Sequence, residues 1–122
     1  MNSTLALRIA ALTGFLAVAL GAFGAHSLKH LLEANGQVGT WQTAAHYHLV
    51  HAVVLLVLAF RTPVERLPFA LFGAGIVIFS GSLYLLAVTN IRWLGAITPI
   101  GGVSFIIGWT CLLIGRGSSQ NP

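Results

Sequence analysis

The chain has 122 residues, of which 57% are hydrophobic and only 7% are charged, with a net charge of +4. A soluble domain carries about 25% charged residues, and a chain of this size buries only about 60–70% of its unfolded surface on folding, so much of the apolar surface must face lipid. The basic residues are scattered singly between apolar runs, which excludes the basic stripe of a nucleic-acid-binding protein.

Apolar segments of membrane-spanning length follow one another along the chain. A spanning helix needs about 20 largely apolar residues, and the charged residues divide the sequence into segments of that size. We expect four spans, at about residues 7–27, 41–60, 67–89 and 93–115. The predicted fold class is all-α: one transmembrane domain over residues 1–122, built as an integral membrane four-helix bundle.

The first predicted span carries small residues at helical spacing. Gly14, Ala17, Gly21 and Gly24 recur along one side, and small residues allow helices to approach closely in membranes. The span ends near His26. We therefore expect its glycines to pack against another helix and His26 to lie near the membrane surface.

The connection between the first and second spans, residues 27–40, is long enough to hold secondary structure. Lys29 and Glu33 fall on one side of a helix, with leucines on the other. Asn35-Gly36 then provides a helix stop. We predict a short amphipathic helix at the membrane interface.

The second span contains a cluster of ring side chains. Tyr47, His48 and His51 lie within five residues, and the two histidines share a face because they are three residues apart. His46 points in a different direction. Ionisable groups inside a membrane span are candidates for a functional site.

The third and fourth spans add further polar and small residues. The third carries Ser80, Ser82 and Tyr84. The fourth carries Thr98 and then Pro99, which we expect to bend the helix because proline leaves a carbonyl without its donor. The small residues that continue the spacing seen in the first span are Gly101, Ser104 and Gly108.

The distribution of basic residues predicts the orientation, because cytoplasmic loops carry an excess of Lys and Arg. With four spans, both termini lie on the same side as the loop at residues 61–66. The basic residues on that side are Arg8, Arg61, Arg66 and Arg116, and those on the other side are Lys29 and Arg92. We predict that both termini are cytoplasmic.

On this topology the polar side chains collect in the outer half of the bundle. The candidate polar site comprises His26, Tyr47, His48, His51, Ser80, Ser82, Tyr84 and Thr98. Three roles for its histidines are open: hydrogen bonds that fix helix contacts, a proton or substrate pathway, and ligation of haem or a metal by histidines from two helices.

Motifs typical of enzymes are missing from the sequence. No phosphate-binding loop, nucleophile elbow or His-Glu-x-x-His helix occurs, and the two acidic residues, Glu33 and Glu65, both lie outside the predicted spans. The spacing of Cys and His is not that of a zinc site. We expect no enzymatic activity and assign no catalytic residue, metal ligand or cofactor.

Four short motifs, one in each span, resemble those of the YgdD-like family of uncharacterised small inner-membrane proteins of bacteria, which has transmembrane relatives in eukaryotes. They are Gly21-Ala22-Phe23-Gly24-Ala25-His26, Tyr47-His48-Leu49-Val50-His51, Phe79-Ser80-Gly81-Ser82-Leu83-Tyr84 and Thr98-Pro99-Ile100-Gly101-Gly102. The family's Tyr-Gln/His-x-x-His pattern matches Tyr47, His48 and His51 but does not include His46. The resemblance covers nearly the whole chain and implies four spans, an inner-membrane location and no established activity.

The leading functional hypothesis is an accessory or structural subunit of a larger membrane complex, because the chain is small and carries no catalytic constellation. Its expected partners are the lipid bilayer and either a larger membrane complex or further copies of itself. One alternative is a small transporter or sensor that uses the polar site in the outer half. The other is a membrane protein that binds haem or a metal.

Overall fold

The computed structural model describes residues 1–115 and shows helices and no strands in that part of the chain. Its four helical segments long and apolar enough to cross a membrane are Ser3–Ala25, Val38–Ala59, Arg66–Thr89 and Arg92–Ile114. The predicted all-α fold with four membrane-spanning helices is confirmed.

The first two spans are single helices joined through a short third one. Helix α1 covers Ser3–Ala25, α2 covers Lys29–Asn35 and α3 covers Val38–Ala59. The Asn2 side chain caps α1 by accepting backbone hydrogen bonds from its first turn. Gly36 ends α2 with a φ of 68°, a left-handed conformation that glycine adopts readily. The expected short helix between the first two spans is therefore present.

The third and fourth spans each change helix type along their length. The third span consists of α4 (Arg66–Gly75), a π-helical segment (Ile76–Ser80) and α5 (Gly81–Thr89). The fourth consists of a 3-10 segment (Arg92–Ala96) followed by α6 (Thr98–Ile114).

Pro99 lies in the first turn of α6 rather than in the interior of a continuous helix. Proline is well suited to this position because its missing N–H would have no partner within the helix. The bend expected at Pro99 is replaced by a change of helix type just before it.

The spans pack as neighbours in chain order. The main contacts join α1 to α3, α3 to the third span, and the third span to α6. Apolar side chains from all four spans, including Ala10, Leu58, Phe72 and Phe105, form a core towards the end that holds the N-terminus. A smaller core forms around Trp41, under α2.

The fourth span approaches the third most closely at its small residues. A Cβ atom on Gly101 would lie 2.3 Å from the backbone nitrogen of Phe79, and one on Gly108 would lie 3.0 Å from the Phe72 ring. Between them, Ser104 Oγ donates a hydrogen bond of 2.6 Å to a backbone carbonyl of α4. These contacts require small residues along this side of α6.

The glycines of α1 differ from one another in their surroundings. A Cβ on Gly24 would lie 2.1 Å from the Trp41 indole nitrogen. At Gly14 and Gly21 a Cβ would meet nothing within 4 Å. The tight contact between the first two spans therefore lies at Gly24, and open space remains beside the other two glycines.

A side-chain contact holds each of the two short connections. Arg61 and Glu65 form an ion pair of 2.8 Å in the loop that contains a cis Thr62–Pro63 peptide bond. At the opposite end of the bundle, Asn90 accepts a hydrogen bond of 3.1 Å from the Gln37 side chain.

Candidate functional site

Both ring nitrogens of His51 have hydrogen-bond partners. Its Nε2 accepts a bond of 3.0 Å from the indole N–H of Trp109. An indole N–H can only donate, so the ring proton is on Nδ1, which donates to the Tyr47 carbonyl oxygen at 2.8 Å. The ring also stacks on Phe105, with centroids 3.8 Å apart. His51 is thus a neutral side chain whose nitrogens are both used within the bundle.

His48 links the second span to its neighbours on two sides. Its Nδ1 lies 2.9 Å from the Tyr84 hydroxyl of the third span. On the side of α1, His48 and Thr13 line the same groove. A single buried histidine therefore bonds the third span and lies beside the first.

The hydroxyl groups of the third span also form contacts between helices. Ser80 Oγ donates a hydrogen bond of 2.8 Å to the Ala44 carbonyl of α3. Ser82 and Thr98 share a hydrogen bond of 2.6 Å that joins the third and fourth spans. Each of these polar groups is satisfied inside the protein.

The Tyr47 hydroxyl and the His26 side chain do not join these contacts. The Tyr47 ring packs on Phe79 at a centroid distance of 4.7 Å, but its side chain is 40% exposed, and its hydroxyl has no hydrogen-bond partner among residues 1–115. His26 follows α1 and is exposed.

The residues predicted as one polar site thus form several separate contacts. In the described part of the chain, no buried side-chain nitrogen or oxygen lacks a hydrogen-bond partner. The same residues include no group of three or more His, Cys, Asp or Glu side chains that could hold a metal ion. What the arrangement does chemically is to join neighbouring spans through hydrogen bonds.

Sequence reasoning missed three residues that donate hydrogen bonds between helices. Trp109 supplies the donor to His51, Trp41 donates to the Leu20 carbonyl of α1 at 2.9 Å, and Asn35 donates to the Ala87 carbonyl at 2.9 Å. Their residue types were the signal that could have identified them, because a buried indole or amide N–H needs a hydrogen-bond acceptor.

A groove of about 260 Å³ lies between the first and third spans, with His48 and Tyr84 among its lining residues. Its other walls come from Thr13, Leu16 and Leu20 of α1 and from Ile76 and Val77 of the π-helical segment. Single π-helical turns occur frequently at functional sites.

Comparison with known proteins places the chain in a family. A family model described as a protein of unknown function (DUF423) matches residues 20–102. The chain is 45% identical over 113 residues to the UPF0382 membrane protein YwdK of Bacillus subtilis. This alignment covers 87% of this chain and 90% of YwdK. The chain is also 42% identical over 120 residues to the UPF0382 inner membrane protein YgdD of Escherichia coli K12. This alignment covers 94% of this chain and 91% of YgdD.

No solved structure matches the chain. The relatives are named as membrane proteins, in agreement with the four spans, and the resemblance to YgdD is confirmed. This chain is therefore a membrane protein that belongs to the DUF423 family.

Proposed function

We propose that this chain is a non-enzymatic accessory subunit that packs against another membrane protein through the exposed side of α3. The polar groups of the candidate site support a structural role, because each buried histidine forms a hydrogen bond to another span. A different set of residues, on the outside of α3, is suited to docking.

The exposed side of α3 has the spacing of a helix–helix interface. The α3 seam is the set of exposed residues Thr43, His46, Val50, Val53 and Val57. They follow one another at alternating steps of three and four residues, so they form one stripe along the helix. A second helix packs on a stripe of this spacing at a crossing angle of about +20°. Their side chains are small or medium-sized, which favours close packing in lipid.

The exposed ring of His46 is the observation that carries the proposal. It lies about 12 Å along α3 from the helix start, at 1.5 Å per residue, and therefore within the spanning segment. No hydrogen bond to its ring nitrogens forms within residues 1–115; its recorded ring contact is with the edge of Tyr47, at 5.9 Å. An ionisable group exposed to hydrocarbon is costly, and a partner helix that hydrogen-bonds this ring would remove the cost.

A groove beside the seam provides a second element of the docking surface. It has a volume of about 310 Å³ and is lined by Val53 and Val57 of the seam, by Trp109 and Leu112 of α6, and by Arg61 at its end. An apolar side chain of a partner helix that lies along the seam could enter this groove. The proposed occupant is thus one transmembrane helix of another protein.

We further infer that the protein lies in the bacterial inner membrane with both termini in the cytoplasm. The Arg61–Glu65 loop lies at the same end of the bundle as the N-terminus. The excess of basic residues at this end supports the orientation, although Arg116, which contributes to it, lies outside the described residues. One relative is named an inner membrane protein.

Photocrosslinking tests the docking surface. A photoreactive residue is placed at Val53 or, as a matched control, at Val103 of α6; both valines are 53% exposed. We expect irradiation of living cells to join position 53, and not position 103, to one other membrane protein identified by mass spectrometry. His46→Leu should abolish this adduct without lowering the stability of the purified chain, because the ring forms no hydrogen bond within residues 1–115.

Other results would overturn the proposal. Adducts between two copies of this chain alone would identify the α3 seam as a homo-oligomer interface. Equal adducts at positions 53 and 103 would show that the seam is an ordinary lipid-facing surface.

The groove lined by His48 and Tyr84 supports a second candidate function, which is transport or sensing of a small ligand or proton. Tyr84→Phe keeps the ring and removes the hydroxyl that contacts His48. If this candidate is correct, proteoliposomes containing the native chain carry a proton flux that a pH-sensitive dye detects, and the variant loses it. Flux no greater than that of empty liposomes would rule out proton transport at this groove.

A further inference from the structure

A pocket of about 410 Å³ opens beneath α2, where the end of α1 meets the start of α3. Its volume falls within the range of about 300–1,000 Å³ that is usual for small-molecule sites. Two oppositely charged side chains of α2, Lys29 and Glu33, line it. The small residues that line it from α1 and α3 are Gly21, Gly24, Ala25 and Ala45.

The two charges line the same pocket without neutralising each other. Lys29 and Glu33 are four residues apart on α2, a spacing at which opposite charges commonly pair. Nevertheless no ion pair joins them in the described structure. The Glu33 carboxylate instead lies 3.9 Å from the Nδ1 atom of His30. A cation and an anion of the protein are therefore both available to one ligand.

The pocket changes from charged to apolar along the direction of the spans. The charges belong to α2, at the end of the bundle, whereas Gly21 lies one turn, about 6 Å, deeper along α1 than Ala25. No atom lies within 4 Å of the Cβ position of Gly21, so open space continues past it. A ligand that fits must be charged at the membrane surface and apolar below it, as a phospholipid is.

We propose that this pocket binds one phospholipid with an ethanolamine headgroup. The Lys29 ammonium binds the phosphate, the Glu33 carboxylate accepts hydrogen bonds from the primary ammonium, and the space beside Gly21 and Ala45 receives the upper part of the acyl chains. The charges of the protein and of the zwitterionic headgroup are complementary in sign and number.

The chemistry of the pocket distinguishes this headgroup from the other common ones. A choline group has no N–H to donate to Glu33, and its usual recognition site is a cage of several aromatic rings. Among the lining residues the aromatic side chain is Trp41, whose N–H is already bonded to α1. An anionic headgroup such as phosphatidylglycerol would place a negative phosphate near Glu33 with no ammonium to compensate.

Native mass spectrometry of the full chain tests the proposal. The protein is delipidated in mild detergent and offered equal amounts of phosphatidylethanolamine, phosphatidylcholine and phosphatidylglycerol with identical acyl chains. We expect one phosphatidylethanolamine per chain, preferred over the others about tenfold, since a hydrogen bond to a charged group contributes about 1.5–3 kcal/mol. Equal retention of the three lipids would overturn the proposal.

Two charge variants assign the contacts. Glu33→Gln should reduce the preference for ethanolamine over choline to near parity, and Lys29→Gln should weaken retention of every phospholipid. Arg92→Gln is the matched control, because Arg92 is also exposed and cationic at this end of the bundle but does not line the pocket. Unchanged binding by both pocket variants would contradict the proposed contacts.

A steric pair of variants tests the position of the acyl chains. Gly21→Leu fills the pocket, whereas Gly14→Leu places the same side chain two turns away, outside it; neither glycine has an atom within 4 Å of its Cβ position. Both variants should fold, as judged by helical circular dichroism, but only Gly21→Leu should lose the bound lipid. Loss in both variants, or in neither, would show that the lipid lies elsewhere.

Discussion

The contact between His51 and Trp109 shows how a single polar pair can hold two spans that are separated in sequence. His51→Leu removes the hydrogen-bond acceptor of the Trp109 indole N–H, which is half-buried. A polar group that loses its partner costs about 1–3 kcal/mol, so we expect the free energy of unfolding to fall by about that amount. Chemical unfolding in detergent, followed by circular dichroism, measures the change.

A double-mutant cycle separates the hydrogen bond from the loss of packing. Replacing Trp109 by a naphthylalanine residue keeps a two-ring side chain and removes the N–H, so adding His51→Leu to it should cost less than His51→Leu alone. Trp93→naphthylalanine is the control, because Trp93 is exposed and its indole N–H forms no hydrogen bond within residues 1–115. Strictly additive losses would mean that the bond contributes nothing to stability.

The polar residues could be found from the sequence, whereas their partners could not. Tyr47, His48 and His51 form a recognisable pattern, yet the three side chains have different surroundings: His48 contacts Tyr84, His51 contacts Trp109, and the Tyr47 hydroxyl is left out. Partner choice depends on how each helix is rotated about its axis and on depth within the bundle. Residue spacing within one helix does not determine either quantity.

At the scale of elements, two seams with the same spacing pack differently. Gly101 of α6 faces the backbone of the third span, but Gly14 of α1 faces open space. The sequence predicts small-residue seams in both helices because their periodicity is the same. It does not predict which helix lies centrally, and α1 has its main contacts with α3 alone among the spans.

This difference predicts opposite effects of the same substitution. Gly101→Ala would bring a methyl group to 2.3 Å from the Phe79 nitrogen, and overpacking of this kind typically costs about 1–3 kcal/mol. Gly14→Ala should be neutral or stabilising by up to about 1 kcal/mol, because alanine favours helix over glycine. Unfolding in detergent measures both. Equal effects of the two substitutions would show that the seam of α6 is not tightly packed.

The π-helical segment of the third span could not be predicted from the residue pattern. A regular 3.5-residue period places Val77 and Ser80 on one seam, but Val77 is 72% exposed and Ser80 is buried. A π-helical turn contains one residue more than an α-helical turn, and so it shifts every residue after it around the helix. No residue type in Ile76–Ser80 signals this change.

A single-residue deletion tests the role of the π-helical turn. Deleting Val77 should convert the segment to regular α-helix and keep both flanking helices facing their present partners. Deleting Leu85 from α5, which is also an exposed apolar residue, should rotate the remaining turn out of register. We therefore expect the melting temperature to fall much less for the first deletion than for the second. The reverse order would show that the turn is itself required for packing.

At the scale of the whole molecule, composition and charge predicted the four spans, while the orientation is still a prediction. Hydrophobicity is a sum over about 20 residues, so small errors at helix ends leave the number of spans unchanged. Orientation depends on a few charges. Arg8, Arg61 and Arg66 lie at one end of the described bundle, and Lys29 and Arg92 lie at the other.

Cysteine labelling tests the orientation directly. In a Cys111→Ser background, Thr62→Cys and Ile91→Cys place exposed thiols in loops at opposite ends of the bundle. We expect a membrane-impermeant maleimide to label position 91 in intact spheroplasts and position 62 only after the membrane is opened. Labelling of position 62 alone in intact cells would mean that both termini lie outside.

Changing the charges shows whether they cause the orientation. Neutralising Arg8 and Arg66, which are both exposed, removes the bias predicted from the sequence while leaving the Arg61–Glu65 ion pair in place. We expect a mixed population in which some molecules expose position 62, because the first span then has no preferred direction of insertion. Neutralising Lys29 and Arg92 increases the bias and should leave the labelling uniform. If labelling also stayed uniform after Arg8 and Arg66 are neutralised, packing of the spans rather than charge would determine the orientation.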